Sequence, residues 1–376
     1  MKKKDKRIIT IVYDRHIYTY KWLKVLYACR NEFSQLGYRI KYQGLLDFIP
    51  SIEFKKFYLE RRSYKNACKS SNDIVMMAFH HSTSELCQLP VDERIKILKQ
   101  IKTHCNLLIW LDTADSTGTC MFDVMPYVDL YFKKQVLVKK EDYCSEMYGS
   151  RSFCDYYHNL LGIEDLTITS RYYPPTESQY LSKIRLSWNV GLGDLYIRNR
   201  QIIMRPHKMT APIFLDPMSD KKLDLQYRGS GYSPIAGYPR SKSQMMIKKI
   251  KNLKVSDVTK KVPKDEYIKE GMSAKSILSP FGWGEICGRD FEAIVYGACM
   301  IKQDMSHCET YPNVYQANRT YVPLKWDFSD FNEKISKAGS EEYRRIAKQS
   351  QDYYKFFFTS EGRYDFAQHI ICEIEK

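Results

Sequence analysis

Short β-branched apolar runs alternate along this chain with longer stretches whose apolar residues recur at helical spacing. Arg7–Tyr13 (RIITIVY) predicts a buried strand, ending in Asp14-Arg15-His16. Trp22, Leu23, Leu26, Phe33 and Leu36 predict a helix over Trp22–Leu36, with Gly37 at the position of a C-terminal cap. Tyr38–Gln43 predicts a second strand and completes a β-α-β unit. The rhythm continues with a strand at Asp73–Phe79, a helix at Val91–His104, a strand at Leu107–Leu111 and another at Val128–Phe132. Strands alternating with helices imply a parallel sheet covered on both faces. In such sheets ligands gather beyond the carboxyl ends of the strands, which directs attention to the loops after Tyr13, Phe79 and Leu111.

A proline-bearing stretch from Tyr172-Tyr173-Pro174-Pro175 to Pro217 interrupts the pattern and holds Ser187-Trp188-Asn189-Val190-Gly191-Leu192-Gly193. The connection between two domains is expected within it. Beyond it the α/β rhythm restarts: strands at Leu223–Tyr227, Ala274–Leu278 and Ala298–Ile301, with helices at Lys242–Lys251 and Arg289–Tyr296. Glu341–Ile374 reads as strongly helical and aromatic. The expected division is 1–205 for a first Rossmann-like domain, 206–345 for a second, and 346–376 for a C-terminal helix packing back towards the first.

Length agrees with this division, since 376 residues suit two domains better than one. The net charge of +15 points to polyanionic partners, whether phosphorylated ligands, anionic lipid or nucleic acid. Lys2, Lys3, Lys4, Lys6 and Arg7 either lead as a solvated segment into the first strand or add electrostatic attraction to an anionic membrane. Lys242–Lys264 reads more readily as a solvated helix face than as a polyanion site. The 11 cysteines, among them Cys29, Cys68, Cys87, Cys105 and Cys120, form no C-x-x-C pair and read as reduced, mostly buried thiols of a cytoplasmic protein. The longest apolar runs fall far short of the roughly 18 residues of a membrane span, so any membrane contact is expected to be peripheral.

The segment Ser279–Asp304, SPFGWGEICGRDFEAIVYGACMIKQD, concentrates the chemistry. Gly282 and Gly284 permit close backbone approach. The helix after them offers free N–H groups and a positive dipole end, suited to a diphosphate. Glu292, two turns in, can accept hydrogen bonds from a ribose diol, and Lys302, Asp304, Ser306 and His307 follow the next strand. Ser-Pro-Phe-Gly-Trp-Gly, then Arg-Asp-Phe-Glu-Ala, then Tyr-Gly-Ala-Cys, resembles the donor-binding end of GT-B glycosyltransferases, most of all the exostosin-like and bacterial surface-polysaccharide branch. Asp304–Pro312 and Tyr321–Asp327 resemble the same branch; the likeness is strong over roughly 228–334 and topological elsewhere.

That resemblance implies an α/β GT-B fold, two Rossmann-like domains facing across a cleft with a C-terminal helical segment. It implies transfer of a sugar from a nucleotide-sugar donor to a glycan or lipid-linked acceptor in capsule, lipopolysaccharide or O-antigen synthesis. Donor contacts fall on Arg228, Arg240, Gly282, Gly284, Glu285, Arg289, Glu292, Lys302, Asp304 and Ser306. Many retaining members carry two glutamates eight positions apart; here Gly284 occupies the first position and Glu285 is displaced by one, which leaves the stereochemistry open. Arg228, directly after a strand, offers a guanidinium to the diphosphate in place of a metal ion. No H-E-x-x-H or other metal spacing occurs, so neither a metal nor another cofactor is expected. Asp112, Asp115 and His16, in loops at strand ends, are the candidates for acceptor base. The two aspartates could equally be caps, and Asp14, His80 and His81 share these loops. The rival functions are a nucleic-acid-binding protein and a non-catalytic nucleotide-sugar-binding relative. No helix-turn-helix, RNP-like, KH-like or zinc-finger spacing supports the former, and nucleic acid is not expected as a partner.

Overall fold

The computed structural model describes residues 6–14, 16–43, 64–67, 72–169, 173–192, 211–229 and 231–376. Lys2, Lys3, Lys4, Arg15, Cys68, Tyr172, Gly193 and Ser230, and the expected domain boundary at 205/206, lie outside them.

The first domain is built on six parallel strands. β1 (Arg7–Tyr13) leads into α1 (Ile17–Ala28) and α2 (Arg30–Gln35), then β2 (Tyr38–Gln43). β3 (Asn72–Phe79), α3 (Val91–Lys102), β4 (Cys105–Asp112), β5 (Leu130–Lys133) and the three-residue β6 (Gln135–Leu137) follow. α4 (Ser152–Leu161) and β7 (Ile184–Leu186) close the domain, with sheet order β2-β1-β3-β4-β5-β7. The central strands are apolar throughout because helices cover both faces, and Ile74–Phe79 and Leu108–Leu111 are buried at every position. The expected single helix Trp22–Leu36 starts earlier, where the Nδ1 of His16 caps Tyr18 N, and breaks at Cys29. Gly37 then turns the chain at φ +85°.

The second domain holds four parallel strands, in the order β12-β10-β9-β8. β8 is Leu223–Gln226, followed by α5 (Tyr238–Ile247), α6 (Lys264–Met272), β9 (Ala274–Leu278), α7 (Gly288–Val295) and β10 (Cys299–Gln303). β11 (Cys308–Thr310), β12 (Val322–Leu324), α8 (Phe331–Ser336), α9 (Glu341–Phe356) and α10 (Ser360–Glu375) complete the chain. Helix α5 starts four residues before the expected Lys242. Pro239 sits in its first turn, where a missing N–H costs nothing, and Pro239, Ser243 and Ile247 form its buried stripe.

The C-terminal helical segment is two helices with different allegiances. α9 stays on the second domain, with Gln351 Nε2 donating to Ile294 O at 3.1 Å. The chain turns at Phe357–Thr359, and Gly362 is required because a Cβ there would lie 2.0 Å from Phe356 O. α10 then crosses to the first domain. Phe366 packs edge-on against Phe33 and Trp188, and Arg363 pairs with Glu32 at 2.9 Å. All ten described cysteines are unpaired.

Candidate active site between the two domains

The loops at the carboxyl ends of both sheets meet, and buried polar side chains set their shape. Asp14 is fully buried after β1; its two oxygens accept from His16 N (2.9 Å) and His80 N (2.6 Å), bracing the loops of β1 and β3 together. Asp112, at the end of β4, accepts from Tyr131 Oη (2.7 Å), Lys133 Nζ (2.9 Å) and Ala114 N (2.8 Å). Burial pushes its carboxyl up, but Lys133 and these donors outweigh that and hold it below the usual range. With every oxygen engaged and almost no exposure, Asp112 shapes the loop and offers nothing to a substrate.

Asp115 is the residue the loop presents. It lines a pocket of about 290 Å³ together with Tyr18, His80, Lys134, Gln135 and, from the second domain, Ile286 and Gly288. Lys134 Nζ lies 3.1 Å from its carboxylate. Burial acts to raise its pKa, and the Lys134 ammonium beside it prevails and lowers it, so the group is ionised at neutral pH. The His16 ring rests 4.1 Å from that of His80. Burial, then His16 and His81, push His80 down to about 3, so His80 is a neutral hydrogen-bonding group.

The opposite wall is the loop before α7. Arg240 lies beneath Gly282: a Cβ there would stand 2.3 Å from Arg240 Nη2, and Arg240 Nε donates to Phe281 O at 3.1 Å. Asp290 draws the loop onto the helix by accepting from Cys287 N (2.9 Å), Ser279 Oγ and Tyr315 Oη, and it pairs with buried Lys302 at 3.2 Å. Lys302 is therefore beneath the loop, holding its shape, where the sequence suggested a place beside the sugar. Gly288, the first residue of α7, opens onto the pocket.

Arg289 and Glu292 lie along α7. Arg289 Nη2 donates to Arg228 O at 2.5 Å, while its Nε and Nη1 are buried without a hydrogen-bond partner. Glu292 accepts from Tyr267 Oη at 2.5 Å. Arg228, by contrast, is committed. Its Nε and Nη2 grip Glu270 at 2.8 and 2.5 Å, and Nη1 reaches Lys260 O at 2.7 Å. The free diphosphate-gripping guanidinium expected at 228 is thus saturated by protein.

Glu285 is also re-sited. It is fully buried in the first domain's loop, accepting from Ser116 Oγ (3.2 Å), Thr117 N (3.0 Å) and Thr117 Oγ1 (2.7 Å). Burial favours the neutral carboxyl; His307, 3.9 Å away, and Thr117 overcome this and hold Glu285 at about 2. Gly284 makes the approach possible, because a Cβ there would lie 1.8 Å from Asp115 O. Both residues, read as donor contacts, form a latch between the domains. Asp304 and Ser306 form a turn, Ser306 N donating to Asp304 Oδ1 at 2.9 Å, and Ser306 and His307 border a separate cavity with Lys139 and Ser152.

Three further contacts that the sequence did not expose close the seam. β11 pairs antiparallel with β6 across the domains. Asn189 donates from Nδ2 to Pro312 O at 2.8 Å. Gly191 packs beneath Phe291, where a Cβ would meet the ring at 2.1 Å.

Two parallel-sheet α/β domains thus face each other, joined by the β6–β11 pair. No protein-family model matches the chain, and no curated protein matches it in sequence. Among solved structures it is similar to an alpha-glucosyltransferase in complex with UDP and a 13-mer DNA containing a central A:G mismatch, at 11% identity over 96% of this chain and 99% of that one, with a TM-score of 0.43. It is similar to Anabaena HepE in complex with UDP-glucose, at 8% identity over 97% and 99% of the two chains, with a TM-score of 0.45. A UDP-N-acetylglucosamine 2-epimerase has 11% identity over 98% and 95%, with a TM-score of 0.37. Likenesses this distant carry no argument about ligands.

Among the described residues, no group of three His, Cys, Asp or Glu side chains has the arrangement of a metal site, and no helix is long and apolar enough to cross a membrane.

Proposed function

We propose that the chain transfers a sugar from a nucleotide-sugar donor held by the second domain to a hydroxyl of an acceptor held by the first. One observation carries this reading: a single pocket is bounded by the N-terminus of α7 on one side and by ionised Asp115 on the other. A helix N-terminus attracts a diphosphate, and a carboxylate across from it can take the acceptor's proton. In the step proposed, the acceptor oxygen bonds to the anomeric carbon as its proton passes to Asp115. The bond from that carbon to the donor phosphate breaks, and its electron pair leaves with the nucleotide. The α7 amides, with Arg289 and Arg240, balance the charge that develops on the diphosphate, so turnover is expected to persist in EDTA. Glu292, at its position along α7, suits the ribose diol. The likeness of 228–334 to surface-polysaccharide enzymes supports a glycan or lipid-linked acceptor and a place in the synthesis of capsule or lipopolysaccharide, with contact to an anionic membrane through the basic N-terminus.

The test is a thermal-shift screen with UDP, GDP, ADP, CMP and a DNA oligonucleotide in EDTA, followed by hydrolysis of the matching nucleotide sugars. One nucleotide should stabilise the protein, by about 2.7 kcal/mol at about 100 times its dissociation constant. Arg289→Ala should weaken that binding by about tenfold or more, the loss of a charge-assisted contact. Asp115→Asn should bind nucleotide normally and lose turnover. Stabilisation by DNA alone would transfer the assignment to a nucleic-acid-binding protein. Nucleotide binding without turnover in the wild type would favour the non-catalytic relative.

A further inference from the structure

One wall of the reaction pocket is built from aromatic rings. Helix α1 packs into the first domain through Trp22, Leu23 and Leu26, all buried. Tyr18, one turn before Trp22, stands clear of that packing and lines the pocket with it. Among the described residues three tyrosines are exposed, and Tyr18, at 59%, is the most exposed and the only one of the three that lines this pocket. Its ring is backed by two imidazoles: His16 lies 5.4 Å away, His80 lies 6.4 Å away, and the imidazoles are 4.1 Å from each other. Asp14 holds the backbone N–H of both histidines, and the Ser82 and Thr83 hydroxyls lie 3.2 and 2.9 Å from His80 Nδ1. The three rings thus form a preformed shelf, and a ligand ring laid on it costs little reorganisation.

An exposed aromatic face inside a pocket recognises apolar C–H surface, and a sugar ring presents such a surface with hydroxyls around its edge. The nearby charges select among sugars. Burial, then His16 and His81, push His80 down to about 3, so the shelf carries no charge at neutral pH. Among the described first-domain residues that line the pocket, the one permanent cation is Lys134, and its ammonium is committed to Thr113 O at 2.8 Å and to Asp115 at 3.1 Å. The ionised carboxylate of Asp115 borders the same space and repels a second negative charge. A uronic acid or a phosphorylated ring meets that repulsion with no uncommitted cation on this wall to offset it. An uncharged ring meets an aromatic face and a carboxylate able to accept from one of its hydroxyls.

We propose that Tyr18, backed by His16 and His80, is the platform on which the acceptor's terminal sugar ring stacks, and that this ring is an uncharged one. The assignment rests on the glycosyl-transfer reading and adds to it the chemical class of the acceptor and the residue that selects it.

The experiment uses the whole chain with methyl glycosides of neutral hexoses, a methyl glucuronide and a hexose phosphate. Binding is read by saturation-transfer NMR, transfer by acceptor KM and kcat with the nucleotide sugar, and donor binding by nucleotide stabilisation. Wild type is compared with Tyr18→Ala and Tyr18→Phe, changes at an exposed position outside the core. Neutral glycosides should bind in preference to the charged ones, with saturation strongest on the C–H protons of one ring face. Tyr18→Ala should weaken their binding and raise acceptor KM by about threefold to tenfold, the worth of an aromatic stacking contact, with nucleotide stabilisation unchanged. Tyr18→Phe, which keeps the ring, should bind as wild type does. Preference for the charged sugars, unaltered binding in Tyr18→Ala, a loss in Tyr18→Phe as large as in Tyr18→Ala, or no glycoside binding at all would overturn the platform. Glycoside binding that behaves as expected in a protein no nucleotide stabilises would keep the platform and discard the transfer reaction. Nucleotide-sugar turnover with an acceptor KM indifferent to Tyr18→Ala would do the reverse.

Discussion

Single residues decide how closely the two halves of this molecule approach each other, and Gly284 is the clearest. Its Cα lies so near Asp115 O that a methyl group would sit at 1.8 Å, against backbone that cannot give way by a side-chain rotation. Gly284→Ala should therefore lower stability by roughly 1–3 kcal/mol, as overpacking does, and should displace Asp115, cutting turnover more than nucleotide affinity; calorimetry with initial-rate kinetics would show both. Glu285 makes the same seam dependent on pH. Its folded-state pKa of about 2 lies below that of an unfolded glutamate, so its contribution is present above about pH 4.3 and is lost as pH falls towards 2. The shift corresponds to stability on the order of 3 kcal/mol. Wild type should lose more stability than Glu285→Gln between pH 5 and pH 3 in urea titrations, and parallel losses would mean that the carboxylate is not held as described. The sequence singled out the segment holding these residues and misread what they touch. Two glycines and a glutamate before a helix suggest a ligand loop, but Thr117, the partner of Glu285, is 168 residues away, and no local pattern encodes it. Arg228 was misread for a similar reason, since its partner Glu270 lies on a helix whose placement is tertiary.

At the level of elements, long periodic segments were legible and short or aperiodic ones were not. β1, β3, β4 and β9 stand close to where their apolar runs placed them, because a buried parallel strand must be apolar along its length. β6 and β11 are three residues each, too short to carry a period, yet they tie the domains together. The segment Glu341–Ile374 read as helical, but its division at Phe357–Thr359 and the departure of α10 for the other domain depend on Gly362 and Phe366 meeting partners outside the segment. α10 can be tested by Phe366→Ala, which removes a ring packed on Phe33 and Trp188 and should cost about 3–5 kcal/mol. Hydrogen exchange should then rise in α2 and β7 of the first domain while α5 and α6 of the second are unchanged.

For the molecule as a whole, the seam is stitched at several separated places: β6 to β11, Glu285 to Thr117, Asn189 to Pro312, and α10 to α2. Opening the domains as rigid halves would break all of these together. The radius of gyration in solution should accordingly be the same with and without bound nucleotide. An expansion on removing nucleotide, seen by small-angle scattering, would show that the latch releases during turnover. The two runs of α/β alternation and the position of α7 after its glycine-bearing loop were readable from the sequence. The tightness of the seam was not, being built from contacts between residues far apart in sequence.

The route of α10 also bears on how the chain comes to be folded. The first domain is synthesised first, but Phe33, Trp188 and Glu32 receive Phe366 and Arg363 of α10, which follow far later in the sequence. A nascent chain leaving the ribosome must carry that apolar patch uncovered until α10 has emerged, a period of exposure in which holdase chaperones compete with aggregation. A chain cut before Ser360 would keep that patch uncovered, so the loss of α10 is as damaging to the first half of the molecule as to the second.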